Sequence, residues 1–227
     1  MPYISFLAIN YDLKVINIAQ KWFESCIIQN YANLVTELYM MYFDNLSIKR
    51  ESIRALNDMD IDIIGYRYDD KQRHLMLQRK INGVRYELPY EEESDGTKKV
   101  IMVFPLILMA LREGRLLVVD ELDAKLHPKL LRYIISLFKD KTINKYGAQL
   151  VFTSHDITTM KNTVYRRDEI WFAASNKNHE SELYSLYDIK NEHNKHSRNT
   201  TNYDIQYLEG RYGADPYLNS MFKAGDW

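Results

Sequence analysis

Asp120 and Glu121 directly follow the apolar run Leu116-Leu117-Val118-Val119, so a short buried strand would deliver two adjacent carboxylates at its C-terminal tip. A strand tip is a rigid platform on which two acids can divide the work. One holds a divalent cation through water, and the next takes a proton from an attacking water molecule. A core strand that ends in a solvated acidic turn carries the same residues, so the pair alone does not establish catalysis. A second group lies 35 residues beyond Asp120, where the run Gln149-Leu150-Val151-Phe152-Thr153 ends in Ser154-His155-Asp156.

The elements between these tips decide whether they meet. Leu122 to His127 leads into an amphipathic pattern over Lys129 to Lys139, with Pro128 suited to a first helical turn. Strand, helix and strand in that order predict a crossover with neighbouring parallel strands, which brings Glu121 and His155 to one sheet edge. In open α/β sheets that C-terminal edge is where ligands bind. Upstream, Glu92-Glu93-Ser94-Asp95-Gly96-Thr97-Lys98-Lys99 precedes the apolar stretch Val100 to Leu111, which reads as a buried helix. A small polar turn that opens a helix offers backbone N–H groups and a hydroxyl to an anion, and the helix dipole adds attraction.

Five strings occur in order: ESDGTKK, VVDELDAKLHP, VFTSHD, RRDEIWFA from Arg166, and YLEGRYGADPYL from Tyr207 to Leu218. Over residues 60 to 218 they resemble the C-terminal half of AAA-like ATPases of the ABC-ATPase class associated with abortive infection and other phage defence. The resemblance implies an α/β fold, a partial P-loop NTPase head of ABC-ATPase type with parallel core strands, a β-hairpin and an N-terminal helical lobe. It implies ATP and Mg²⁺ as cofactors. Ser94 and Gly96 match the signature turn, which in that family contacts the γ-phosphate of ATP held by the opposite subunit. Asp120 matches the Walker B aspartate near Mg²⁺, and Glu121 matches the catalytic base. Asp123 matches the D-loop that faces a dimer partner, and His155 the switch histidine that senses the γ-phosphate. Lys98 and Lys99 receive no role and read as helix-capping or solvated side chains.

One departure carries weight. The eight glycines stand at 65, 83, 96, 114, 147, 210, 213 and 225, and no GxxxxGK[ST] loop occurs. That loop supplies the backbone cradle and the lysine for the β- and γ-phosphates, so this chain alone is expected to bind ATP poorly. In the family the loop lies N-terminal to all the motifs above. The expectation is therefore a head whose first lobe is absent, through a split gene, a degenerate ATPase or a short subunit. The partners expected are a second copy in a head-to-head homodimer or a complementary N-terminal half, together with a defence effector. Two other function classes stay open: a non-catalytic binding or scaffold subunit, and a metal-dependent nuclease built on Asp120, Glu121, Asp123, His155 and Asp156.

With 46% hydrophobic and 27% charged residues, the 227-residue chain has the composition of a globular protein with one sizeable core or two small ones. A net charge of −1 gives no global attraction to nucleic acid. The single cysteine, Cys26, excludes an internal disulfide and reads as a buried helix residue. The longest apolar stretch is the dozen residues from Val100 to Leu111, short of the ~20 that span a bilayer, so no membrane segment is expected. No basic region followed by an apolar core opens the sequence, and the cytoplasm is the expected location.

Two lobes are predicted: 1–60 helical, and 61–227 the C-terminal part of the head. Ile18, Trp22, Cys26, Ile27, Tyr31, Leu34, Val35 and Leu38 give a helical period across 14–44, one long helix or two broken ones, and Ser47 with Glu51 begins a further helix through Leu56. Strands follow at 61–68, 74–81 and 84–90, the last two joined by Asn82-Gly83, a strong hairpin signal. Glu169 to Ala173 and Glu182 to Leu186 read as strands that extend the catalytic sheet. The polar run 190–202 reads as a surface loop, and its His193 and His196 lack a frame for a metal. Tyr207, Tyr212 and Tyr217 read as packing residues.

Overall fold

The computed structural model describes residues 3–29, 46–69, 74–175, 178, 180–189 and 202–214. They fall into two compact units, Met1–His155 and Asp156–Trp227.

The first unit opens with helices α1 (Tyr3–Asn10) and α2 (Lys14–Ser25), neither of which has a buried residue. The expected helical period fails at Cys26, the C-cap of α2, whose N–H donates to the Phe23 carbonyl. Ile27–Gln29 then forms strand β1. The physical reason is tertiary: two β-branched isoleucines pair in parallel with the strand that carries the acids, and that pairing overrides the local helical pattern. The remainder of the expected 14–44 helical stretch, 30–44, lies outside the described residues, and Cys26 is half-buried just past the end of α2.

Helix α3 (Leu46–Asp58) packs against strand β2 (Ile63–Asp69), which pairs antiparallel with β3 (His74–Ile81), and β3 with β4 (Val84–Pro89). Asn82 and Gly83 both have positive φ, 50° and 84°, as a two-residue hairpin turn of type I′ demands. Ile63, Tyr66 and Leu77 are at most 2% exposed and form the covered face of this sheet.

Helix α4 (Asp95–Glu113) is the core of the unit, with twelve of its nineteen residues buried. It leads through Gly114 into β5 (Leu116–Val119), which α5 (Pro128–Lys139) connects to β6 (Gln149–Phe152). The sheet order is β1-β5-β6 with both pairings parallel, in the register Gln29–Val119–Phe152. All three C-terminal ends therefore lie at one rim. Leu117 and Val119 point into the core at 0% and 1% exposure, each worth ~1.5–3 kcal/mol, and this anchors the strand that presents Asp120.

In the second unit β7 (Trp171–Ser175) and β8 (Ser181–Ser185) form a two-stranded antiparallel sheet of their own. This corrects the expectation that they extend the catalytic sheet. Their short connection lets them satisfy each other, and the Phe172 face packs on Tyr184, Tyr207 and Tyr212. Tyr207 belongs to a helix that the sequence pattern did not announce, α6 (Tyr203–Leu208). Arg167, 7% exposed, donates from Nη2 to the carbonyls of Leu186 (2.7 Å) and Ile189 (2.9 Å) and ties the chain after β8 to the turn before β7. Residues 190–201, with His193 and His196, and Tyr217 lie outside the described residues. Among the described residues no helix is long and apolar enough to cross a membrane.

Candidate functional site

The rim of the parallel sheet gathers the acids around one hydroxyl. Thr153, just beyond the tip of β6, donates from Oγ1 to Asp120 Oδ1 at 2.5 Å and accepts from the Glu121 N–H at 2.7 Å. One side chain thereby fixes both acidic residues, across a sequence separation that only the crossover can close. Main-chain bonds continue the ladder past the strands: Thr153 N–H donates to the Val119 carbonyl, and Leu122 N–H to the Thr153 carbonyl, each at 3.1 Å. Asp120 and Glu121 are both exposed.

Glu121 adopts φ 47°, the left-handed region that a side chain with Cβ disfavours by ~1–2 kcal/mol. The chain turns sharply there, so Leu122, fully buried, can drop into the core while Glu121 stays at the surface. Lys125 closes the same turn with φ 64°. Asp123, half-buried, accepts at Oδ2 from the His155 N–H at 3.1 Å, which holds the histidine's backbone next to the acidic turn. Its Oδ1 is buried and accepts no hydrogen bond.

The turn that opens α4 meets this acidic turn directly. Ser94 is the N-cap: its Oγ accepts from the Thr97 N–H at 3.2 Å and lies 2.9 Å from Thr97 Oγ1. Asp95 accepts from Lys125 Nζ at 2.8 Å, and a Cβ placed on Gly96 would stand 2.8 Å from the Lys125 carbonyl oxygen. Gly96 is therefore required first for close approach of two backbones. Lys99, one turn further, is 5% exposed and donates from Nζ to the Glu121 carbonyl. The burial corrects the expectation of a capping or solvated lysine. Lys99 stands four residues before Val103 and so shares the core face of a helix that is apolar almost all round, where a lysine must find an acceptor. Desolvation, opposed by Asp123 and Glu121, brings its ammonium down to about 8.

Residues 52–161 match the family model described as "AAA domain, putative AbiEii toxin, Type IV TA system". This stretch is an AAA domain. No curated protein matches the chain. The AAA stretch contains Ser94, Gly96, Asp120, Glu121, Asp123 and His155, and leaves the segments from Arg166 and from Tyr207 outside it. Members of this class are P-loop NTPases, which bind ATP with Mg²⁺.

The residues of the AAA stretch fit one part of that cofactor pair. Mg²⁺ asks for few protein ligands, keeping several waters beside one or two carboxylates and the substrate phosphates, and exposed Asp120 at the rim answers that need. The phosphate cradle has no counterpart in this sequence. Among the described residues no three His, Cys, Asp or Glu groups converge to hold a metal. Thr153 and Lys99 are the members of the site that sequence reasoning passed over: Thr153 stood only as the last residue of a strand, and Lys99 as one of two lysines beside a turn.

Proposed function

We propose that this chain supplies the hydrolytic and partner-facing part of an ATP-driven head that works as a sensor or motor in phage defence, alongside an effector. The supporting observation is the Thr153 hydroxyl, which fixes the Asp120 carboxylate and the Glu121 backbone at one rim, with His155 following on the same loop. In this reading Asp120 would hold Mg²⁺ through water, and the ion would neutralise charge on the phosphates. Glu121 takes the proton of the water whose oxygen bonds to the γ-phosphorus, while the bond to the β–γ bridging oxygen breaks and leaves ADP. His155 and a partner's signature turn offset the charge that develops. The phosphate cradle comes from a second polypeptide or a second lobe that carries GxxxxGK[ST].

The test is ATP turnover by the full chain assembled with a polypeptide that carries such a loop. Glu121→Gln lowers the rate by orders of magnitude while nucleotide-dependent association persists, because the amide keeps the shape and cannot accept the proton. Undiminished turnover in that variant removes Glu121 as the base. If the wild-type assembly associates without any turnover, the scaffold reading replaces this one.

A further inference from the structure

We propose that Lys99 is a positioning residue for Glu121: its ammonium on the Glu121 carbonyl, opposite the Thr153 hydroxyl on the Glu121 N–H, holds the strained turn that aims the carboxylate at the rim. The inference rests on the reading of Glu121 as the base.

A left-handed glutamate needs outside support, since the conformation is unfavourable for any residue that carries Cβ. The structure supplies that support at both ends of the residue. On the N-terminal side the N–H meets Thr153 Oγ1 at 2.7 Å. On the C-terminal side the carbonyl accepts from Ala124 N–H at 3.1 Å and from Lys99 Nζ. The lysine reaches it from the second turn of α4, whose first turn is pinned to the other end of the same loop by Asp95 on Lys125 and by Gly96 against the Lys125 carbonyl. The helix start and the acidic turn thus form one interlocked piece, and Lys99 is its charged pin. A buried cation with no acceptor costs several kcal/mol, so the carbonyl and the lysine hold each other in place. Three groups act on that cation: Asp123 and Glu121 favour its charge, and Lys125 opposes it.

Amide hydrogen exchange on the full chain tests the assignment, followed residue by residue by NMR with Lys99→Met and Lys99→Arg. Lys99→Met raises exchange at Glu121, Leu122 and Ala124 at least tenfold and leaves the strand amides of Val118 and Val151 unchanged; Lys99→Arg, which keeps the charge and the donors, restores protection. In the wild type the Glu121 and Ala124 amide shifts titrate together with a midpoint near pH 8, and Lys99→Met abolishes that step, a response that simple loss of packing would not produce. Unchanged exchange in Lys99→Met, or the same titration in its presence, overturns the assignment. Should Lys99→Met fail to fold, Lys99→Gln takes its place with the same expected exchange pattern, and unchanged exchange at Glu121 and Ala124 in it overturns the proposal. These readouts need no nucleotide, so a failure of the ATPase reading appears separately, as no turnover in an assembly whose exchange pattern is as stated.

Discussion

Gly96→Ala tests the interlock where two effects of opposite sign compete. Gly96 is the second residue of α4, and alanine is favoured over glycine within a helix by ~1 kcal/mol, so on propensity alone the substitution stabilises. The added carbon would lie 2.8 Å from the Lys125 carbonyl oxygen, whereas a relaxed C···O contact is about 3.3–3.6 Å. At least half an ångström must be recovered, and the obstacle is backbone. Lys125 sits at φ 64° between the Asp123 carbonyl, bonded to Leu126 N–H at 2.9 Å, and its own ion pair with Asp95, so the oxygen cannot retreat without opening the turn. Overpacking of this kind costs ~1–3 kcal/mol, and after the propensity gain the net change is a loss of up to ~2 kcal/mol, centred on ~1 kcal/mol. Urea unfolding followed by circular dichroism reads a loss of ~1 kcal/mol as a midpoint lowered by about 0.5 M. Hydrogen exchange then places it, with the amides of residues 121–126 opening first. A raised midpoint would refute the reasoning, because it would mean that the acidic turn yields freely and that Gly96 is not there for close approach.

Four further outcomes follow from the same geometry. Thr153→Val removes the bonds to Asp120 and Glu121 and lowers stability by ~1–2 kcal/mol in denaturant melts, while Thr153→Ser keeps most of it. Lys99 titrates near 8 in the folded chain against 10.5 ordinarily, so between these values the unfolded chain holds the extra proton and stability rises with pH. Melts in steps from pH 8 to 9.5 show a gain of ~1–2 kcal/mol that Lys99→Met abolishes. The Arg67 guanidinium, with help from Gln78, holds the Glu87 carboxyl down at about 2, so its favourable contribution is present at neutral pH and fades as pH falls from 4.5 towards 2. Carbon-detected NMR titration shows that low midpoint and its upward move in Arg67→Gln. In the second unit Phe172→Ala opens the ring cluster with Tyr184, Tyr207 and Tyr212 and costs ~3–5 kcal/mol, measured as early exchange in β7, β8 and α6.

Elements whose local signals agree with their tertiary use were legible from the residues. The Asn82-Gly83 hairpin, α5 behind Pro128, and the two apolar strands joined by a helix each obey a rule that acts within a few residues, and the crossover rule then brings the tips of β5 and β6 to one rim. What escaped depended on partners distant in sequence. Ile27–Gln29 becomes a strand because β5 offers it an edge, a fact no window around Cys26 contains. β7 and β8 read correctly as strands, but strand propensity does not say which sheet receives them, and they chose each other. Lys99 reads differently from its neighbour Lys98, which stays partly exposed and pairs with Asp95, and only the helical offset to Val103 separates the two. The left-handed Glu121 had no signature at all: glutamate is not a residue that asks for that conformation, and support from Thr153 and Lys99 makes it tenable.

The most direct measurement of the central claim is paramagnetic. Mn²⁺ with ATP, titrated into the full chain, broadens nearby resonances even when binding is weak, and it reports position rather than affinity. Broadening is expected to begin at Asp120, Glu121, Thr153 and His155, and Asp120→Asn to abolish it. Broadening centred elsewhere, or unaltered in Asp120→Asn, would contradict the account.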